Sequence, residues 1–236
     1  MIKTILFDLD GTLRHSIPAG GDVFADYAQT IGLSISAEER IRAERWEHHY
    51  WANSYELRDD LEIHKETGNG FWGNYARRRL IALGAGPARA QELAPLVNQY
   101  MHDNHKHEDF VPAEIHGMLT SLKETGYRLG VVSNREHPYV EELERLELSP
   151  YFEFSLAAGE VGSYKPDAGV FIAALEKMDA VAQETVYVGD NYFADVIGSL
   201  RAGLLPVLYD PRGIFPEAGC PVITSFDQLI PVIQIL

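Results

Sequence analysis

The chain is poor in cysteine, in positive charge and in long apolar runs. Cys220 is the single cysteine among 236 residues, so an intramolecular disulfide is excluded and a reducing compartment, the cytoplasm, is expected. Lysine and arginine number 20 against 35 acidic residues, a formal charge of −15 that repels phosphate backbones, so we expect no nucleic-acid partner. The apolar run after Lys3 is too short for a signal peptide or a membrane span, and no membrane partner is expected.

The remaining composition is that of an ordinary globular protein. Hydrophobic residues make up 46% of the chain and charged residues 23%. The length suffices for one large α/β domain or for a core with a smaller lobe. We see neither an internal repeat nor a low-complexity tract.

The N-terminal stretch places two acidic residues directly after a buried strand. Residues 2–7 are apolar and partly β-branched, which predicts a strand of a parallel sheet. Asp8 and Asp10 follow at its carboxyl end, where open α/β sheets bind their ligands. Two carboxylates so close together are costly unless a cation joins them. The simplest candidate is a divalent metal with hard oxygen ligands, Mg²⁺ first.

A long helical block then interrupts the alternation of strands and helices. Residues 17–108 read as mostly helical. Ser36, followed by Glu39 three residues later, is a capping-box signature that opens residues 37–65, which contain no Gly or Pro. Residues 68–70 are expected to interrupt the block. Further helices are predicted over residues 22–31, 71–83 and 87–103.

From residue 110 onward, strands and helices alternate again. Strands are predicted over residues 127–132, 152–158, 185–188, 206–209 and 222–223. Helices are predicted over residues 113–125, 136–146, 168–178 and 193–202, and from about residue 226 onward. Asp167 is expected to cap the helix that begins at residue 168. This repeat predicts an α/β fold with a doubly wound, mostly parallel, Rossmann-like sheet.

Polar side chains stand at the ends of four predicted strands: Asp8 and Asp10, Ser133 and Asn134, Lys165, and Asp190 and Asp195. Each has an ordinary alternative: Ser133 and Asn134 as a turn, Lys165 as a surface lysine, Asp195 as a helix N-terminal acid. A doubly wound sheet gathers its strand ends along one edge, so we expect the clusters to converge.

In this order the clusters resemble the four motifs of the haloacid dehalogenase (HAD) superfamily. The matching segments are DLDGTL at Asp8, SN at Ser133 after VV, GSYKPD around Lys165, and GDN at Asp190 with Asp195 five residues later. The resemblance implies a HAD-like core over residues 1–14 and 110–236 and an α-helical cap domain over residues 15–109. In the cap only position and helical character match, and an independent helical domain is the alternative.

The resemblance also implies a mechanism. Asp8 would be the nucleophile that forms an aspartyl-phosphate, and Asp10 the general acid and then the base, with a pKa raised by neighbouring carboxylates. Ser133 and Lys165 would act on the phosphoryl group as further catalytic residues. Phosphate binding is expected from Gly11, Thr12, Ser133, Asn134 and Lys165. Metal binding is expected from Asp8, from the backbone carbonyl of Asp10 and from Asp190. Asp195 would bind the metal directly or through water, or would instead orient Lys165.

The presence of an acid at Asp10 distinguishes between the activities known in the family. The dehalogenases and phosphonate hydrolases of the family lack it, so we expect a Mg²⁺-dependent phosphatase acting on a small phosphorylated metabolite. A phosphomutase acting on a sugar phosphate retains the acid and stays open. From another class, a receiver-type phospho-acceptor module is about half this length and has no inserted cap, and an idle binding protein would not need the intact acid set.

Specificity is expected from the cap and its hinges, where the chain departs from many relatives. Arg14 and His15 lie at the first hinge. Cap arginines are candidate contacts for an anionic substrate, although a solvated helix face is their ordinary role: Arg42, Arg45, Arg58, Arg77, Arg78 and Arg79. Hinge polarity explains His102, His105 and His107 better than a metal site does. The expected partner is a small phosphorylated substrate, with the chain working as a monomer or homodimer.

Overall fold

The computed structural model describes residues 1–65 and 69–236 and divides into two compact units. The core unit comprises Met1–His15 and Phe110–Leu236, and the helical unit comprises Ser16–Asp109. Gly68, the first residue of the predicted interruption, lies outside the described residues. Along the described ranges, no helix is long and apolar enough to cross a membrane.

A six-stranded parallel sheet forms the centre of the core unit. The strands in chain order are β1 (Thr4–Phe7), β2 (His15–Ile17), β3 (Glu108–Phe110), β4 (Arg128–Ser133), β5 (Phe154–Ala157), β6 (Thr185–Gly189), β7 (Leu205–Tyr209) and β8 (Val222–Ile223). The sheet has the order β5-β4-β1-β6-β7-β8, while β2 and β3 pair with each other. Each observed pair in the six-stranded sheet is parallel, with Phe7 opposite Val131 and Val188. This order places β1 between the strands that carry the other predicted motifs.

The helical unit contains α1 (Gly20–Thr30), α2 (Ala37–Trp51), α3 (Tyr55–His64), α4 (Asn69–Ala82) and α5 (Pro87–Asn104). The predicted capping box is present, because the Ser36 hydroxyl accepts from the backbone of Glu39 and the Glu39 carboxylate accepts from the backbone of Ser36. Small and aliphatic side chains of α1, α4 and α5, among them Ala28, Leu80 and Leu93, form this unit's larger hydrophobic cluster.

Helices of the core unit cover both faces of the sheet: α6 (Ala113–Glu124), α7 (Val140–Arg145), α8 (Ala158–Val161), α9 (Ala168–Lys177), α10 (Ile197–Arg201) and α11 (Leu229–Ile235). Ile5 and Phe7 of β1 pack in one cluster with residues of α6 and α11. Leu6, which points to the opposite face, packs with Phe171 of α9. The predicted fold class, α/β with a doubly wound and mostly parallel sheet, is confirmed.

The uninterrupted stretch over residues 37–65 is in fact two helices. Helix α2 ends at Trp51, and Asn53 has a positive φ of 50°, a conformation that asparagine tolerates better than most residues. Ser54 then caps α3 by accepting a hydrogen bond from the backbone N–H of Leu57. Asparagine and serine therefore end one helix and begin the next without glycine or proline.

Two further expectations in the core unit are wrong in detail. Helix α7 begins at Val140 rather than at residue 136. Pro138 disfavours a helical conformation at His137, and the Tyr139 hydroxyl donates to the carbonyls of Val131 and Leu156 in the sheet. Asp167 stands at the N-cap of α9, but its side chain makes no capping hydrogen bond.

Candidate active site

Most of the predicted motif residues lie where the central strands end, whereas Lys165 lies in the loop between α8 and α9 and not directly after β5. Asp8 directly follows β1, Ser133 is the last residue of β4, and Asp190 directly follows β6. Asp195 lies in a π-helical turn, Tyr192–Val196, whose first backbone N–H groups are capped by the Asn191 side chain. Parallel strands end at the same edge of the sheet, so these side chains share one edge.

Lys165 joins two buried acids at this edge. Its Nζ lies 2.6 Å from Oδ1 of Asp8 and 2.7 Å from Oδ1 of Asp195, and it also donates to the Tyr187 hydroxyl at 3.0 Å. Lys165 is 2% exposed and Asp195 1%. Burial alone would lower the pKa of Lys165, but the charges of Asp195 and Asp8 raise it well above its ordinary value. Lys165 is therefore a fixed positive charge.

The Lys165 backbone is held in place by Asn134. The Asn134 amide donates to the Lys165 carbonyl at 2.9 Å, and its Oδ1 accepts from the Lys165 N–H at 2.7 Å. Both polar atoms of the Asn134 side chain thus serve to place the lysine loop. The geometry gives this side chain a positioning task, and its expected contact with phosphate stays a prediction.

Asp190 is oriented by the turn that follows Asp8. The Thr12 hydroxyl donates to Oδ1 of Asp190 at 3.0 Å and accepts from the backbone N–H of Asp190 at the same distance. Gly11 has a φ of +91°, and a Cβ there would lie 2.6 Å from the Asp190 carboxylate. The N–H of Gly11 donates to the Arg14 carbonyl. Gly11 shapes the turn and the Thr12 side chain holds Asp190, and the phosphate binding expected of both residues stays a prediction.

Three carboxylates are close enough to bind one metal ion. Asp8, Asp190 and Asp195 each offer an oxygen within 4.8 Å of the others. Burial, together with the neighbouring acids, raises the pKa of Asp8 to about 7, although Lys165 opposes the shift. Burial and the charges of Asp8 and Asp195 raise the pKa of Asp190 well above its ordinary value. Asp8 and Asp195 are buried and Asp190 is half-buried. Closely spaced acids that resist joint ionisation are the expected environment of a divalent cation, and their oxygen donors fit one.

The Asp10 carboxylate is held by two arginines. Arg135 donates from Nε to Oδ2 and from Nη2 to Oδ1, each at 2.8 Å, and Nη1 of Arg14 reaches Oδ1 at 2.5 Å. Burial alone would raise the pKa of Asp10, but Arg135 and then Arg14 lower it below its ordinary value. The expectation of a raised pKa is therefore wrong for this arrangement, because the nearest charges are positive. Ser133 approaches the same carboxylate, with Oγ 3.5 Å from Oδ2.

Sequence reasoning missed three polar residues of this site. Arg135 follows the SN motif directly, and its partner Glu142 lies on α7. Tyr187 sits inside the apolar segment TVYV, where its hydroxyl donates to the Val132 carbonyl. Position beside a motif was a usable signal for Arg135, whereas the roles of Glu142 and Tyr187 depend on the direction of each side chain in the fold.

In the helical unit, several arginines and histidines have internal partners. Arg79 is 3% exposed and pairs with Glu47, and Arg78 donates to the fully buried Asp60. His105 lies 3.2 Å from the Pro18 carbonyl. These ion pairs give the two arginines a structural task within the helical unit, so a bound anionic substrate is not needed to explain why arginine stands at these positions. His102 and His105 also line a cavity of about 530 Å³ in this unit.

The family model described as Haloacid dehalogenase-like hydrolase matches residues 5–208 of the chain. The matched range begins inside β1 and ends inside β7, so it includes the whole helical unit. Every residue proposed from the motifs for catalysis, phosphate binding or metal binding falls inside this range.

Named relatives match over nearly the full chain. A ribulose-1,5-bisphosphate 5-phosphatase of Halopiger xanaduensis is 29% identical, over 89% of this chain and 86% of the relative. Pyrophosphatase PpaX of Bacillus mycoides is 26% identical, over 99% and 97%. The solved 2-haloacid dehalogenase of Pseudomonas syringae pv. tomato is 28% identical, with a TM-score of 0.57 and coverage of 100% and 99%. The similarity therefore extends through both units.

Proposed function

Because the chain belongs to the haloacid dehalogenase-like hydrolases, we propose that it is a phosphoric monoester hydrolase that uses Mg²⁺ and an aspartyl-phosphate at Asp8. Two of its relatives are named for substrates with two phosphoryl groups, ribulose-1,5-bisphosphate and pyrophosphate, which supports a small phosphorylated substrate. The acid at Asp10 favours an ester over a halide, since an alkoxide leaving group needs a proton and a halide does not.

The observation that carries the proposal is the buried group of Asp8, Lys165 and Asp195 beside Asp190. A carboxylate nucleophile needs nearby positive charge, because it must approach a phosphoryl dianion. Lys165 supplies that charge at 2.6 Å from Oδ1 of Asp8. Asp195 holds the ammonium from the other side at 2.7 Å, so the lysine cannot withdraw from the nucleophile without leaving a buried charge unpaired.

The chemical steps assign a task to each residue. A carboxylate oxygen of Asp8 attacks phosphorus, and the bond from phosphorus to the leaving oxygen breaks. Asp10, released from the arginines and carrying a proton taken from solvent, gives that proton to the leaving oxygen. Asp10 then takes a proton from the attacking water, the bond from phosphorus to the Asp8 oxygen breaks, and inorganic phosphate leaves. In this proposal the Ser133 hydroxyl binds a phosphoryl oxygen. Lys165 neutralises charge on the phosphoryl group throughout.

A bound Mg²⁺ would be held by Asp8, Asp190, the Asp10 carbonyl and, directly or through water, Asp195. The ion would supply charge neutralisation on the phosphoryl oxygens. Thr12 keeps Asp190 in position for this task through the two hydrogen bonds described above. Residues 15–109 are proposed to act as the cap, and residues 1–14 with 110–236 as the catalytic core. The single cysteine fits a cytoplasmic protein.

The test is a phosphate-release assay on the full chain with an aryl phosphate and a panel of sugar, glycolytic and nucleoside monophosphates. We expect release that requires Mg²⁺, stops with EDTA and is abolished in Asp8→Asn. Release that persists in Asp8→Asn would contradict the aspartyl-phosphate. A folded, Mg²⁺-binding protein that releases no phosphate but interconverts sugar phosphate isomers would be a phosphomutase instead.

A further inference from the structure

Arg14 and Arg135 of the core unit bind the Asp10 carboxylate with a geometry that could also bind another anion. Arg135 contacts both oxygens of Asp10 through Nε and Nη2, and Arg14 adds a third contact through Nη1. The planar fork of a guanidinium binds carboxylate and phosphate groups in the same bidentate way. The Asp10 carboxylate therefore marks a position where the group of a ligand can bind.

Glu142 supports the two arginines from the opposite side. Its Oε1 lies 3.1 Å from Nε of Arg14 and 3.2 Å from Nη2 of Arg135, and its Oε2 contacts Nη1 of Arg135. Two guanidinium charges thus face two carboxylates. When Asp10 turns toward a leaving oxygen, the arginines keep one countercharge and a net positive charge remains.

Solvent reaches this pair of arginines, and the pair is adjacent to the reacting centre. The side chains of Arg14 and Arg135 are 16% and 25% exposed, so a ligand can contact them without unfolding the loop. Oδ2 of Asp10 lies between Nε of Arg135 and Oγ of Ser133, the proposed phosphoryl ligand. An anion bound to the arginines would therefore be close to the phosphoryl group.

We propose that Arg14 and Arg135 form a subsite for a second anionic group of the substrate, a carboxylate or phosphate a few bonds from the phosphorus attacked by Asp8. This inference rests on the proposed phosphatase function. In the structure the Asp10 carboxylate occupies the subsite. The second anion of the substrate replaces it there and frees Asp10 for the leaving oxygen, so doubly anionic substrates are favoured over simple esters.

The experiment compares kcat/KM for two matched esters, 2-phosphoglycolate and ethyl phosphate, which differ by a carboxylate in place of a methyl group. Inorganic diphosphate is the third substrate and offers a phosphate as the second anion. For the native chain we expect a preference of about tenfold to a hundredfold for at least one doubly anionic substrate over ethyl phosphate, the range for a charge-assisted contact. Preference for 2-phosphoglycolate or for diphosphate identifies which anion the subsite takes.

Variants at the subsite test the residues themselves. Arg135→Met is expected to bring the preference close to one, and Arg135→Lys to leave an intermediate value, since lysine keeps the charge but lacks the fork. General damage to the centre lowers both rates together and leaves their ratio unchanged. Arg128→Met, which removes a 43% exposed arginine side chain at the first residue of β4, the opposite end of that strand from Ser133, is the matched control and should keep the ratio.

Replacing Glu142 should change the preference for the second anion in the opposite direction. Glu142→Gln removes a countercharge and keeps both guanidiniums, so the preference for the second anion should rise. A native preference near one, or a ratio unaffected by Arg135→Met and Glu142→Gln, overturns the subsite while ethyl phosphate hydrolysis still supports the phosphatase. Absence of metal-dependent hydrolysis for all three substrates overturns the proposed function and this inference together.

Discussion

Lys165 is the residue whose replacement should affect both catalysis and folding. In Lys165→Met, Asp8 and Asp195 lose the ammonium that contacts each of them. We expect kcat to fall by about a hundredfold or more, the usual effect of losing a preorganised charge. The free energy of unfolding should fall by about 3–5 kcal/mol, because two buried acids lose their partner. Phosphate release and urea unfolding measure the two effects.

Lys177→Met is the matched control for this variant. Lys177 is exposed at the end of α9 and should tolerate the same change with little effect on rate or stability. A Lys165→Met protein with native kcat would contradict the role given to the ammonium, even if its stability had fallen.

Asp8 and Asp190 should make the metal-free protein less stable as pH rises. Burial raises the pKa of Asp8 to about 7 and also raises the pKa of Asp190, whereas an aspartate in the unfolded chain has a pKa of about 3.9. The folded chain therefore binds more protons, and this stabilising contribution is complete below about pH 4 and lost as pH rises through the folded pKa values. With EDTA, Tm should fall between pH about 5 and about 8.

Added Mg²⁺ should reverse this trend, because the cation replaces the protons that the acids lose. The rise in Tm on adding Mg²⁺ is expected to be larger at pH about 8 than at about 5. Thermal unfolding at both pH values, with EDTA and with Mg²⁺, measures it. Equal shifts at the two values, or the larger shift in acid, would contradict the metal assignment to Asp8 and Asp190.

At the scale of elements, Asp60 ties three helices of the helical unit together. It lies on α3, is fully buried, and accepts from Tyr50 on α2 at 2.9 Å and from Asn74 and Arg78 on α4 at 2.7 and 2.9 Å. Asp60→Ala should lower the free energy of unfolding by about 3 kcal/mol, because these donors lose a shared acceptor.

The neighbouring Asp59 provides the control for this change. It lies on the same helix but is exposed, so Asp59→Ala should alter the free energy of unfolding by less than about 0.5 kcal/mol. Urea unfolding followed by tryptophan fluorescence compares the two variants. Equal stability losses would show that loss of a helical aspartate, and not the shared acceptor, accounts for the effect.

Elements with strong local signals could be predicted from the sequence, and elements set by distant contacts could not. The Ser36–Glu39 capping box and the apolar strand TVYV carry their information within a few residues. The Tyr139 hydroxyl donates to the carbonyls of Val131 and Leu156 on two strands, a contact that only the fold creates. The pairing of β2 with β3 joins segments far apart in sequence, and neither strand was predicted. Patterns within a few consecutive residues do not predict such long-range contacts.

At the scale of the whole molecule, the order of the motifs predicted which residues would gather but not the partners of each side chain. Asp8, Lys165 and Asp195 do meet at one edge of the sheet. Asn134, however, turns to the lysine backbone, and Asp10 to Arg135. Residue spacing determines the edge of the sheet, whereas side-chain direction depends on neighbours from other strands. The confirmed parts are the fold and the family; the site roles remain proposals.

The division into two units leads to an expectation about unfolding. Each hydrophobic cluster draws its residues from a single unit, Leu93 in the helical unit and Val131 in the core unit being examples. Separate cores favour separate cooperative transitions, so calorimetry should resolve two. All three tryptophans, Trp46, Trp51 and Trp72, lie in the helical unit, so their fluorescence should follow only one of the transitions.

Leu93→Ala distinguishes two transitions from one broad transition. Leu93 is 1% exposed, and its truncation should cost about 2–5 kcal/mol in the unit that contains it. The transition reported by tryptophan fluorescence should then move to lower temperature while the other stays in place. Val131→Ala, in the other cluster, should move the transition that fluorescence does not report. A single transition shifted equally by both variants would mean that the two cores unfold as one cooperative structure.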